Sequence, residues 1–270
     1  MEKHTHLPDP SQLSMLTGVI LIAYAISQYL TVPVNQVALQ LPGLYIPINF
    51  EFRNLVSITV AILASAGMDW VISGHPHNAG KDRLHHWLLP SLTAWVIGIP
   101  LFSIPIGPTW WGMFLIGGLL LVFVILSEYI TVDPEDTRFT VVSIGLSALS
   151  LVLFLILAVS IRASGARLYL VLPAIGIGSG LVSLRIFYLR SGRNWQYAWS
   201  LGISLILAQI AAGLHYLPFS PIQFGLLLVG FLYGLISVSE SVIQNQFTKR
   251  VFVEPVIIFI VILILVLILG

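Results

Sequence analysis

The chain contains no cysteine. Disulfides, thiolate metal sites and cysteine nucleophiles are excluded together, and nothing about compartment follows from it. Charge is nearly as scarce: Asp, Glu, Lys and Arg make up 9% of the residues, against roughly 25% in an ordinary soluble domain. A chain so poor in charge cannot clothe a soluble surface. Its net balance of +1 creates no field for nucleic acid or acidic ligands, so no nucleic-acid partner is expected. Long polar stretches are missing as well, which leaves no room for a soluble domain between the apolar runs.

What is present is hydrocarbon. Hydrophobic residues reach 57% of the chain, and they recur along its whole length in runs of the ~20 residues needed to cross a ~30 Å apolar core. Backbone groups in lipid must be satisfied within the segment, so such runs are helical unless they close a barrel. The period-2 alternation of barrel strands is absent from them. The expected fold is all-α: a polytopic transmembrane helical bundle of about nine spans, near 13–32, 54–74, 86–105, 109–131, 139–161, 167–189, 196–216, 222–243 and 252–270. Turn signals separate them, among them Pro105-Ile106-Gly107-Pro108 and Pro218-Phe219-Ser220-Pro221. The expected organisation is a short tail, 1–12, followed by one transmembrane domain, 13–270.

Lys and Arg set the orientation. The N-terminal side carries Lys3, Lys81, Arg83, Arg138, Arg190, Arg193, Lys249 and Arg250, and the other side only Arg53, Arg162 and Arg167. Eight against three puts the N-terminus in the cytoplasm. Aromatic residues mark the same two interfaces, with Trp70, Trp87, Tyr129, Tyr188 and Trp195 near one and Tyr29, Trp110, Trp111, Tyr169 and Tyr216 near the other. Ala23-Tyr24-Ala25 resembles a small-residue cleavage site, but the single Lys of the tail faces Glu2 and Asp9, and the apolar stretch runs on to Val32. Both features argue against cleavage.

Two segments depart from the plain pattern. Residues 33–53 form the longest connection, apolar and punctuated by Pro33, Pro42 and Pro47. They are expected to form an extracytoplasmic cap rather than to dip back among the helices. The last run, Val256 to Leu269, has no small or polar residue, so it is expected at the bundle's edge against lipid.

Ionisable residues inside spans are costly and mark candidate sites by default. Asp69, Glu128, Arg185 and Glu240 each lie on an inward-running helix within a few turns of its cytoplasmic end, and they are expected to meet there as a polar cluster. Glu128 and Arg185 are long enough to snorkel to the headgroups instead. Asp69 is too short to do so, and Arg190 is expected at the headgroups. A second candidate is the turn Ser73 to Trp87, which holds His75, His77, His85 and His86. Its His-Pro-His segment can present two imidazoles to one ion, but no established metal-ligand spacing such as His-Glu-x-x-His accompanies it. No metal site and no cofactor is assigned; the turn reads as a headgroup-facing or proton-responsive loop. Glycines at 176, 178 and 180 and at 230 and 234 suit close helix packing, and Pro173 beside the first run suits a hinge.

Three functions fit. The first is a transporter-like or channel-like bundle with its polar cluster on the cytoplasmic side. The second is a non-catalytic subunit or assembly factor that contacts another membrane protein or a second copy. The third is a membrane-embedded hydrolase or transferase acting on a lipid or lipid-linked substrate. The expected setting is the bilayer of the cell membrane.

Overall fold

The computed structural model describes residues 8–30, 35–41, 44–50, 52–75, 83–190, 194–244 and 249–269. Among these residues nine α-helices take up the apolar runs. Eight are long and apolar enough to cross a membrane, and in α9 (Lys249–Ile268) the apolar part is the shorter Val253–Ile268. The fold is a transmembrane helical bundle. It divides into two compact units, Met1–Val132 and Asp133–Gly270.

The first unit holds α1 (Pro10–Ser27), α2 (Phe52–Ser73), α3 (Leu88–Ser103) and α4 (Pro108–Ile130). Helix α1 starts ahead of its apolar run because Asp9 caps it. The Asp9 carboxylate accepts the Ser11 backbone N–H at 2.9 Å and Pro10 occupies the first turn. That backbone bond holds the Asp9 carboxyl below the usual carboxylate range. Helix α2 packs on α1 and α3, and α4 packs on α3 and α1. Leu16, Ile20 and Tyr24 of α1, Met68 and Ile72 of α2, and Leu121 and Ile125 of α4 share the core. Helices α1, α2 and α3 meet closely at Gly98, where an added Cβ would lie 2.8 Å from the Tyr24 hydroxyl and 2.9 Å from the Ser57 hydroxyl.

A proline decides how α3 ends. Pro105 has no N–H to give to the Leu101 carbonyl, and a carbonyl left bare in hydrocarbon is expensive. Trp110 Nε1 donates to it at 3.0 Å and Gln28 Nε2 at 2.5 Å, which ties the starts of α4 and the end of α1 to the same acceptor.

The connection between α1 and α2 contains two strands. Strands β1 (Asn35–Leu41) and β2 (Leu44–Phe50) pair antiparallel, from Leu41 opposite Leu44 out to Asn35 opposite Phe50. The strand signal is the Pro42-Gly43 dipeptide between two β-prone runs, a turn signal with two strands around it. Pro47 pairs with Ala38, three pairs out from the turn-closing pair. Ladder bonds alternate, so that is a position at which the missing N–H would point away from the partner strand.

The second unit holds α5 (Phe139–Ala163), α6 (Leu168–Arg190), α7 (Tyr197–His215), α8 (Pro221–Ile243) and α9. Helix α8 is its hub, packed on α5, α7 and α9, while α6 packs on α5 and α7. A capping box starts α8: Ser220 Oγ accepts the Gln223 N–H and Gln223 Oε1 accepts the Ser220 N–H. The glycine run of α6 opens its carbonyls to α7. Ser200 Oγ donates to the Gly180 carbonyl at 2.6 Å and Ser204 Oγ to the Gly176 carbonyl at 2.7 Å. Arg162 donates to the His215 and Leu217 carbonyls at 3.0 and 3.2 Å, satisfying acceptors at the C-terminal end of α7 where positive charge is favoured.

Candidate functional site

The sequence offers a set of span carboxylates and a set of histidines as separate candidates. In the first unit the structure joins them. Helix α2 ends at Ser73, and the chain turns so that the His75 N–H bonds the Ile72 carbonyl at 2.9 Å. Ahead of α3 a single 3-10 turn, Leu84–His86, returns the chain to the bundle. His75, His85 and His86 are all buried. These three side chains are turned into protein rather than toward headgroups, and residues 76–82 of the turn lie outside the described residues. His77 lies outside the described residues.

The centre of the site is a buried imidazole on a buried carboxylate. His86 Nδ1 lies 2.7 Å from Glu128 Oε2, with side-chain exposures of 4% and 0%. Thr131 Oγ1 donates to the Glu128 carbonyl at 2.9 Å and lies 3.4 Å from Oε2. The His85 ring stands 3.9 Å from that of His86, centroid to centroid, tilted by 46°. His75 packs edge-on against Tyr129 at 4.6 Å. Three imidazoles and one carboxylate therefore gather where α2 ends, α3 begins and α4 ends. Among the described residues no three His, Asp or Glu side chains are placed to hold a metal ion.

The other span charges are distributed between the units. Asp69 lies 3.6 Å from Arg83, and each side chain is more than a third exposed. This is a loose ion pair at the bundle's end. Glu128, which the sequence allows to snorkel, is fully buried, and so is Arg185 of the second unit. Neither reaches the surface. The Arg185 guanidinium stands 5.8 Å from the centre of the Tyr188 ring. Arg190, expected at the headgroups, pairs with Glu240 at 3.3 Å while its side chain stays more than a third exposed, and Gln244 Nε2 donates to the same carboxylate at 3.2 Å. One contact had no sequence signal: Tyr233 donates to Glu254 Oε1 at 2.7 Å, joining α8 to the polar start of α9.

These features define a polytopic, helical integral membrane protein with a buried His–carboxylate pair. Over residues 31–269 the chain matches the family described as a protein of unknown function (DUF5656), and it belongs to that family. No curated protein and no solved structure matches it.

Proposed function

We propose that the protein is a transporter-like bundle of the cell membrane, with its N-terminus in the cytoplasm, and that the His86–Glu128 pair takes up and releases a proton at its cytoplasm-side end. The observation that carries this reading is the 2.7 Å contact between two titratable groups that are both shut off from solvent. With one shared proton the pair is neutral. A second proton makes it positive, and loss of the first makes it negative, each in a medium of low dielectric where net charge is costly. Proton occupancy is thereby coupled to packing. His86 stands just before α3 and Glu128 in the last turn of α4, so weakening their bond loosens two helix ends from each other. Intramembrane ionisable groups mark proton relays in pumps and carriers for this reason.

The test uses everted vesicles energised by respiration, with a fluorescent amine reporting the pH gradient across the membrane. Pools of inorganic cations, organic cations and small anions are added in turn. The expected result is collapse of part of the gradient by one pool in vesicles holding the wild-type chain, and its loss in vesicles holding Glu128→Gln at equal protein level. If every pool leaves the gradient as it is in empty vesicles, the transport reading fails.

A further inference from the structure

Helix α9 places a carboxylate where a membrane helix is least able to carry one. Glu254 is exposed, and so are Ile257, Val261 and Ile264, which follow it at helical spacing along one side of α9. Glu254 therefore heads a stripe that the bundle leaves open to acyl chains. Its depth follows from its partner. The Tyr233 hydroxyl donates to Glu254 Oε1 at 2.7 Å, and Tyr233 lies twelve residues after Pro221 and ten before Ile243, near the middle of a helix long enough to cross the bilayer. Helical side chains lean toward the helix N-terminus, which for Tyr233 is away from the nearer end of α8. The carboxylate is thus held within the hydrocarbon zone.

The seam between α8 and α9 opens at the same level. The bonds from Gln223 to Val266 and from Tyr233 to Glu254 set the two helices antiparallel, so one turn forward on α8 is one turn back on α9. At Gly230 the seam is closed, since an added Cβ would lie 3.1 Å from Ile262 and 3.2 Å from Phe259. Gly234, one turn further along the same face of α8, has nothing within 4 Å of an added Cβ. One turn back from Phe259 are Pro255 and Glu254, so the open space lies beside the carboxylate. Charge is also unbalanced there. Arg190 is paired with Glu240 at 3.3 Å. Glu254 accepts the neutral Tyr233 hydroxyl and has no ion pair among the described residues. An ionised group at that depth is costly unless opposite charge meets it. A hydrated inorganic ion cannot approach through acyl chains, so a ligand reaching the notch sideways has to carry its positive charge on an apolar body.

We propose that Glu254, Tyr233 and the notch at Gly234 form a binding site for hydrophobic organic cations that enter from the lipid. The carboxylate neutralises the cation, the Tyr233 hydroxyl holds the carboxylate in place, and the space at Gly234 admits the apolar body. The site belongs to the second unit and does not depend on the proton reading of the His86–Glu128 pair in the first.

The test is equilibrium dialysis of the full chain, purified in detergent at neutral pH, against radiolabelled tetraphenylphosphonium. Variants are compared as species that elute folded from the same detergent. The expected result is saturable binding by the wild-type chain, its loss in Glu254→Gln, and several-fold weaker binding in Tyr233→Phe. Gly234→Leu keeps every polar group and fills the notch, and it is expected to weaken binding several-fold as well. Asp69→Asn, on the other unit, is expected to bind as the wild type does. No saturable binding by the wild-type chain would overturn the proposal. Binding that persists in Glu254→Gln, or that Gly234→Leu leaves unchanged, would overturn it too, by placing the cation elsewhere. Dialysis uses no proton gradient, so failure of the transport reading in vesicles and failure of this site are read separately.

Discussion

Two carboxylates of the first unit show how depth changes what a charge contributes. Asp69 and Arg83 are both more than a third exposed at 3.6 Å, and such a pair contributes about 0–1 kcal/mol. Glu128 and His86 are buried at 2.7 Å, where removal of one ionised partner costs about 3–5 kcal/mol because the other stays buried without it. Glu128→Leu is therefore expected to lower the thermal midpoint in detergent sharply, and His86→Leu added to it to restore part of the loss. Asp69→Asn is expected to shift the midpoint little. Equal losses for Glu128→Leu and Asp69→Asn, or strictly additive losses for the Glu128–His86 double variant, would contradict this account. The carboxylates were legible in the sequence as costly residues in apolar runs, and the histidines as a cluster. Their pairing was not, because His86 and Glu128 are 42 residues apart and depth along a span does not say which way a side chain turns.

At the scale of elements, the apolar runs revealed the helices because lipid leaves the backbone no other open-ended solution. The hairpin stayed hidden because uncharged, proline-bearing strands at a membrane boundary give the same composition as an apolar loop. Small-residue motifs were only partly legible. Of the Gly230 and Gly234 spacing, Gly230 meets α9, where an added Cβ would lie 3.1 Å from Ile262 and 3.2 Å from Phe259, while Gly234 has nothing within 4 Å. The tighter approach is at Gly225, outside any spaced pair, where a Cβ would fall 2.5 Å from Val159 Cγ2 and 3.0 Å from Leu155 Cδ1 of α5. Gly225→Ala is expected to cost about 1–3 kcal/mol by forcing α5 and α8 apart. Gly234→Ala should be neutral or stabilising by roughly 0.5–1 kcal/mol, since glycine loses more chain entropy than alanine in a helix. Thermal unfolding of the two variants in one detergent decides it, and a midpoint for Gly225→Ala at or above that of Gly234→Ala would refute the packing argument.

At the scale of the whole molecule, the question is what each helix does for the bundle, and α9 poses it most sharply. Its aliphatic run suggested an edge helix with nothing polar to offer beyond Glu254. The second unit supports the edge position, since α9 packs on α8, with Phe259 against Phe231 at 4.8 Å and against Gly230. Leu267 and Ile268 are more than 70% exposed. The polar account needs one addition: Gln223 Nε2 donates to the backbone carbonyl of Val266 at 3.0 Å, so α9 also offers a main-chain acceptor that no composition reveals. Its two polar ties, Tyr233 to Glu254 and Gln223 to Val266, lie near opposite ends of α9 and set the register in which the two helices lie side by side. Truncation after Arg250 removes both ties and uncovers Gly230, yet leaves α5, α6, α7 and α8 with all their mutual contacts. The truncated chain is expected to insert and accumulate in the membrane, and to elute from detergent as a folded species with a thermal midpoint several degrees lower. Tyr233→Phe in the full chain should give a smaller part of that loss, about 0.5–1.5 kcal/mol for one hydrogen bond. If truncation abolished accumulation, α9 would have to support more than α8, and the edge assignment would fall.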